Sequence, residues 1–238
     1  RTGKIIAAWE EQKQVKEIMV FLHAHGVSTN LAVKIYKEYG DTSLQVVQED
    51  PYQLERDIYG IGFKTADRIA QALGLSPEHP SRIEAGIVFA LNETINQGHV
   101  FVPRGMLVQR AIELLGVSHE LLPAGLERLE KQERIRQEKL PRPNGRDDEI
   151  MDVVYLMPLY WGEVGVAERI KALTKAQSPL FLQEELPQTG IALSDEQEQA
   201  VRMALAHPVS ILTGGPGTGK TTCLKALIAT LDSREKSY

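Results

Sequence analysis

Two stretches, HGVSTNLAVKIYKEYG (25–40) and YGIGFKTADRIAQALG (59–74), decide the fold, because the second repeats the first. At a constant offset of 34 (59 − 25), Gly26 matches Gly60, Ala32 matches Ala66, Lys34 matches Arg68, Ile35 matches Ile69 and Gly40 matches Gly74. Val27 and Ile61 are both aliphatic. Internal periods of this size mark arrays of small supersecondary units. Each unit predicts a tight glycine turn that opens a helix, which a second glycine then closes. A weaker echo, KIIAAW (4–9), resembles KIYKEY (34–39) and RIAQAL (68–73), so an earlier partial copy is expected ahead of the first unit. Between them, KIIAAWEEQKQVKEIMVFLHAHG places Ile5, Trp9, Val15, Ile18, Met19 and Leu22 on one helical side, the pattern of a core stripe.

Working outward, the repeat resembles the helix-hairpin-helix module, whose hairpin reads hydrophobic-Gly-hydrophobic-Gly before a helix with a small inner residue. Ile58-Tyr59-Gly60-Ile61-Gly62-Phe63-Lys64-Thr65-Ala66 fits that pattern. Glycine permits positive φ and close approach of the backbone to a ligand. The amides of Ile61, Gly62 and the helix start are then expected to face outward as a small anion site. DNA phosphates suit such a site, with Lys64, Thr65 and Arg68 beside it, and contacts of this kind carry no base sequence information. In the first copy Gly26 keeps its place, but Ser28 stands where the second glycine belongs. The competing reading for both copies is a purely structural helical hairpin.

Composition neither announces nor excludes a polyanionic partner. The 238 residues carry a net charge of −5, so no global positive field is present, yet backbone amides grip phosphate without net charge. At 42% hydrophobic the chain holds enough apolar material for more than one core. A single cysteine, Cys223, excludes an internal disulfide and fits a reducing compartment. No apolar run reaches the length of a membrane span, and no signal peptide opens the sequence. Because Arg1 stands first, close to a helix, the chain is expected to be a piece of a longer protein.

From Ser81 the texture changes. SRIEAGIVFALNETINQG predicts an amphipathic helix closed by Gly98, and HVFVP a short strand. MLVQRAIELLGV and LLPAGLERLEKQ predict two helices; RIRQEK and DVVYLMPLY predict strands around the polar turn LPRPNGRDDEIM. Helices followed by a strand hairpin suggest a winged-helix-like domain. Arg134, Arg136, Lys139, Arg142 and Arg146 are candidate wing cations, diluted by Glu133, Glu138, Asp147, Asp148 and Glu149, which favour a solvated loop. The helix WGEVGVAERIKALTKA follows, and then the connector SPLFLQEELPQTG, the best domain boundary in the chain.

Beyond it, HPVSILTGGPGTGKTTCLKALIATL predicts a buried strand Val209–Leu212, a loop Gly214–Lys220 and a helix from Thr221. Gly214, Gly219, Lys220 and Thr221 hold the four fixed places of G-x-x-x-x-G-K-T, the P-loop. Its nucleotide-binding candidates run through Gly214, Gly215, Pro216, Gly217, Thr218, Gly219, Lys220, Thr221 and Thr222. The loop amides and helix dipole surround a β-phosphate, Lys220 reaches the β/γ oxygens, and the Thr221 hydroxyl is the candidate Mg²⁺ ligand. Lys220 and Thr221 are therefore the catalytic candidates, with ATP and Mg²⁺ as cofactors. Thr222 and Cys223 read as helix residues.

Upstream, Leu193, Gln197, Ala200 and Val201 of LSDEQEQAV resemble the adenine-reading motif of superfamily 1 helicases. That resemblance implies a Gln197 amide paired with the adenine edge. The same letters also spell a capping box, with Ser194 as N-cap and Gln197 at N3. Together these parts resemble the RecD-like DNA helicases, relatives of the exodeoxyribonuclease V alpha subunit with a long N-terminal extension. The resemblance implies ATP-driven 5′-to-3′ movement on single-stranded DNA, in repair or recombination, in a bacterial cytoplasm. The expected fold is mainly α: a tandem helix-hairpin-helix domain (1–80), a winged-helix-like α+β domain (81–176), a linker (177–192) and the truncated start of a RecA-like α/β ATPase lobe (193–238). The isolated piece is expected to bind DNA backbone and to lack ATP hydrolysis. A DNA clamp without motor function and a platform that docks a partner subunit are the alternatives.

Overall fold

A computed structural model describes residues 15–142, 149–175 and 190–233. These divide into two compact units, residues 1–160 and 161–238.

In the first unit, helix α1 (15–24) buries Ile18 and Leu22, as its stripe predicts; Ile5 and Trp9 lie outside the described residues. Then come α2 (Thr29–Tyr39), a 3₁₀ turn at Gly40–Thr42, α3 (Ser43–Glu49), α4 (Gln53–Asp57) and α5 (Phe63–Ala72). The repeat holds at the backbone: Gly26, Gly40, Gly60 and Gly74 all take positive φ, between 54° and 90°. Ser28 and Gly62 are the extended N-caps of α2 and α5. Val27 and Ile35 share one core with their matches Ile61 and Ile69, whereas Ala32 lies in that core and its match Ala66 in the neighbouring one.

Helix α6 (Pro80–Ile95) opens with Pro80 at its first turn, where a missing N–H costs nothing, and His79 Nδ1 accepts from the Ser81 amide. It is not the one-sided helix its sequence suggests. Arg82, Glu84 and Thr94 are buried along with its apolar residues, because neighbours cover most of its circumference. Gly86 and Gly125 make this possible. A Cβ at Gly86 would lie 2.5 Å from Leu115 Cδ2, and one at Gly125 would lie 2.8 Å from Ile83 Cγ2.

After α6 follow β1 (Phe101–Pro103), α7 (Arg104–Leu115), α8 (Leu121–Lys131), β2 (Ile135–Pro141) and β3 (Ile150–Leu156). The strands form one antiparallel sheet in the order β1-β3-β2. Its register runs Ile135↔Leu156 to Pro141↔Ile150, and Phe101↔Tyr155 to Pro103↔Val153. Val153, Val154 and Tyr155 are successively buried, so both faces of the central strand are covered. Two sequence expectations are corrected here. Strand β3 ends at Leu156, and Met157–Tyr160 open helix α9 (Met157–Lys175) instead of extending the strand. Pro158 has no N–H for a ladder yet fits a helix's first turn. The expected boundary at 80/81 is also crossed by packing, since Tyr52, Phe63, Ala66 and Ala70 belong to the same core as α6, α7, α8 and the sheet. The first compact unit therefore ends at Tyr160, inside α9.

In the second unit, α10 (Asp195–Ala206) packs on α11 (Lys220–Asp232) through Val201, Leu205, Cys223 and Ala226. The strand expected at Val209–Leu212 does not form. These residues are coil, with Ile211 80% exposed. A strand needs a hydrogen-bonded neighbour, and the described residues supply none to this segment. The expected linker 177–189 lies outside the described residues.

Candidate functional sites: a glycine hairpin and a phosphate loop

The second hairpin is built from its turn outward. The Ile61 amide donates to Ile58 O (3.1 Å), closing the turn that Gly60 makes possible at φ 90°. Ile61 is therefore corrected as an outward-facing donor: its N–H is spent in the turn and its side chain is buried. Helix α5 starts immediately after, with the Thr65 and Ala66 amides both donating to Gly62 O (3.0 and 3.2 Å). Gly62 is the N-cap of α5, and Phe63 and Lys64 are its first two residues, positions where helices carry donors without intrahelical partners. Nothing lies within 4 Å of a Cβ built on Gly62, so a ligand can approach the main chain there.

Around this turn, Lys64 and Arg68 are exposed, and Lys64 Nζ sits 5.6 Å from the centroid of the Phe89 ring. One contributor escaped the sequence reading. Lys34, the counterpart of Arg68 in the first copy, reaches across and donates to Tyr59 O (3.2 Å), tying one copy to the turn of the other. The Lys34/Arg68 match was the available signal. The first copy reproduces the shape, with Gly26 at φ 77°, but places the Ser28 side chain where Gly62 leaves open space.

Hairpin helix α5 is locked from behind. Arg82 donates Nε to Asp67 Oδ1 (2.8 Å) and Nη2 to Oδ2 (3.3 Å), while its Nη1 donates to Pro77 O and Leu115 O (both 2.9 Å). Tyr52 donates its hydroxyl to the same carboxylate (2.6 Å). Burial first, and the Asp67 carboxylate second, push the Tyr52 phenol well above its ordinary value. The strand hairpin offers weaker cation candidates. Arg134 is half-buried, and desolvation lowers its guanidinium from its ordinary value. Arg142 pairs with Glu149 (3.3 Å), and Arg136 lies 5.7 Å from the centroid of the Tyr160 ring. Lys139 is exposed, and Arg146 lies outside the described residues.

In the phosphate loop, Gly217 and Gly219 take φ 78° and 83°, and Gly219 caps α11 at Lys220. Lys220 Nζ donates to Gly214 O (2.7 Å) and Gly215 O (2.6 Å), so its charge lies within the loop it would share with a phosphate. Thr218 Oγ1 donates to Gly215 O (3.0 Å); Thr221 and Pro216 are exposed. Thr222 and Cys223 are helical, with Cys223 buried against α10.

Gln197 forms the capping box that the sequence spells. Its Oε1 accepts from the Ser194 amide (3.1 Å) while Ser194 Oγ accepts from the Gln197 amide (3.4 Å), a complete capping box. Its Nε2 meanwhile donates to Thr218 O (3.2 Å), which brings α10 to the loop. Gln197, Thr218, Gly214, Lys220 and Leu212 line one open pocket. The Lys220 amine and the Gln197 amide thus both meet carbonyls of the Gly214–Thr218 stretch.

The sequence comparisons agree with this layout. The pattern described as the ATP-dependent RecD2 DNA helicase HHH domain matches residues 11–101, and the AAA domain pattern matches residues 197–237. Both segments are similar to parts of RecD-type proteins. An ATP-dependent RecD2 DNA helicase from Deinococcus radiodurans is 27% identical over 94% of the chain and 32% of its own length. The RecBCD enzyme subunit RecD from Mycolicibacterium smegmatis is 36% identical over 34% of the chain and 14% of its own length. That from Mycobacterium tuberculosis is 57% identical over a 35-residue stretch, 15% of the chain and 6% of the relative. The chain thus spans about a third of the length of the curated Deinococcus radiodurans relative.

Proposed function

We propose that the chain supplies the DNA-gripping and nucleotide-binding parts of a RecD-like ATP-dependent DNA helicase, moving 5′ to 3′ on single strands in repair or recombination in a bacterial cytoplasm. The observation that carries the reading is the shared layout: one chain holds an open glycine hairpin and a P-loop, in the order matched along a RecD2 helicase. Gly60, Gly62, Lys64, Thr65 and Arg68 hold the DNA backbone, with Gly26 in the lesser role. Helix α6, strand β1, helices α7 and α8 and hairpin β2–β3, with sheet order β1-β3-β2, support a winged-helix-like reading of the middle. Residues 193–238 belong to a RecA-like lobe, a reading supported by the AAA match.

In the nucleotide site, Gly214, Gly215, Pro216, Gly217, Thr218, Gly219, Lys220, Thr221 and Thr222 hold the phosphates. Thr221 offers its hydroxyl to Mg²⁺, and Gln197 meets the adenine edge. Bound ATP–Mg²⁺ supplies the phosphoanhydride whose hydrolysis drives movement. The protein's own contribution is positional: Lys220 exchanges carbonyl partners for phosphate oxygens, and Gln197 exchanges Thr218 O for the base. Hydrolysis and unwinding are assigned to the longer protein, and the 238-residue chain alone is read as inactive in both.

A salt titration of DNA affinity tests the grip. A phosphate-binding hairpin gives an observed affinity that falls linearly on a log–log plot, because each neutralised phosphate releases counterions. A flat salt response would overturn the DNA reading and favour apolar docking of a partner. In the longer protein, Lys220→Ala should abolish DNA-stimulated ATP turnover; retained turnover would remove the P-loop from the mechanism.

A further inference from the structure

Tyr59 stands at the crown of the second hairpin and is 99% exposed, the highest value among the exposed large apolar side chains of the described residues. An isolated exposed aromatic is ordinary on a protein surface. The setting of this one is not. Its neighbour Ile58 is buried, and its own carbonyl is held by Lys34 Nζ at 3.2 Å. The turn beneath it is closed by the Ile61 amide on Ile58 O at 3.1 Å and by Gly60 at φ 90°. A fixed main chain therefore presents a ring that touches water on both faces.

The repeat provides an internal comparison. The position equivalent to Tyr59 is His25 (59 − 34). His25 is turned back onto its own helix: its ring centroid lies 4.3 Å from that of Phe21, and Nδ1 lies 2.8 Å from Phe21 O. One copy thus packs its aromatic residue and fills the second glycine place with Ser28. The other leaves its ring free beside the open backbone of Gly62. Both differences point the second copy toward a ligand with an anionic backbone and a flat apolar group near it.

We propose that Tyr59 is a base-stacking platform, which gives the second hairpin a preference for unpaired DNA over duplex. The inference rests on the DNA-binding reading above and specifies the form of DNA taken. Every base has a π-face, so stacking on tyrosine needs no particular sequence. In a duplex those faces are already covered by neighbouring base pairs, and only the phosphates remain for the hairpin amides. The ring adds affinity where bases are free and nothing where they are not.

Fluorescence anisotropy with three labelled substrates tests this on the chain as it stands: a homopolymeric single strand, a duplex, and an abasic single strand of equal length. Tyr59→Ala should weaken the normal single strand by between about five- and a hundredfold, the range of a lost base–aromatic stack. Duplex and abasic affinities should be unchanged, and Tyr59→Phe should bind all three like the parent. Because the side chain is exposed, both variants should melt with the parent. Unchanged single-strand affinity in a Tyr59→Ala chain whose parent binds DNA would overturn the stacking role and leave the backbone grip intact. So would an equal loss on the abasic strand, or a loss in Tyr59→Phe. Absence of DNA binding by the parent would instead defeat the DNA reading, and the stacking role with it.

Discussion

Gly60 and Gly62 sit two residues apart yet fail differently on substitution. Gly60 is at φ 90°, and a Cβ there would lie 3.1 Å from Lys34 Nζ. An L-residue pays about 1–2 kcal/mol in that region, so Gly60→Ala should lower the thermal midpoint. Gly62 is extended, at φ −99° and ψ 171°, with open space around it. Gly62→Leu should therefore melt with the parent while weakening DNA of every sequence alike, because the new side chain stands over the amides. Normal DNA affinity in that variant would make the hairpin structural. Glu133 gives the reverse case. It holds φ 55° in the turn after α8, where its amide and that of Arg134 donate to Glu130 O and Leu129 O. Glu133→Gly should raise stability by about 1 kcal/mol, read by denaturant unfolding, since glycine takes this conformation without a Cβ clash.

Among the elements, those with purely local signals were legible in the sequence. The repeat was one: its glycines mark turn chemistry, and its matched Ile35 and Ile69 mark a shared buried face. The capping box before α10 and the glycine at the head of α11 were likewise written in adjacent residues. What could not be read depended on distant partners. Burial of Arg82 and Glu84 on α6 becomes favourable only because Asp67, Leu115 O and Arg128 arrive from elsewhere in the chain. The coil at Val209–Leu212 has strand composition but no neighbour to pair with. Of the candidate sites, residue types and order were visible, whereas the spent Ile61 amide, the Lys34–Tyr59 link and the Gln197–Thr218 bond emerged only from geometry. The Arg82 network also sets an expectation at this scale. Removing one member of a buried ion pair costs about 3–5 kcal/mol, so Arg82→Ala should fall in that range in denaturant unfolding. Arg82→Lys should recover little of it, because a single ammonium cannot serve both Asp67 oxygens and two carbonyls.

At the scale of the molecule, the two units differ in how firmly they hold their candidate sites. The hairpin rests on a core continuous with α6, α7, α8 and the sheet, and the Tyr52–Asp67–Arg82 network pins it from behind. The phosphate loop has less support. The segment leading into it is exposed coil, and its helix packs on α10 through a small cluster around Val201, Leu205, Cys223 and Ala226. Its functional groups are also turned inward: Lys220 is bonded to Gly214 O and Gly215 O, and the Gln197 amide spans Ser194 and Thr218. Nucleotide must displace these bonds, and that cost is subtracted from its affinity. Isothermal calorimetry of the chain with Mg-ATP should accordingly show binding weaker than the micromolar range. Gln197→Ala should cost α10 about 1 kcal/mol of cap stability while also freeing Thr218 O. Micromolar binding by the unsubstituted chain, abolished by Lys220→Ala, would mean that the loop is held ready although the described segment leading into it is coil, and that these inward bonds impose no measurable barrier.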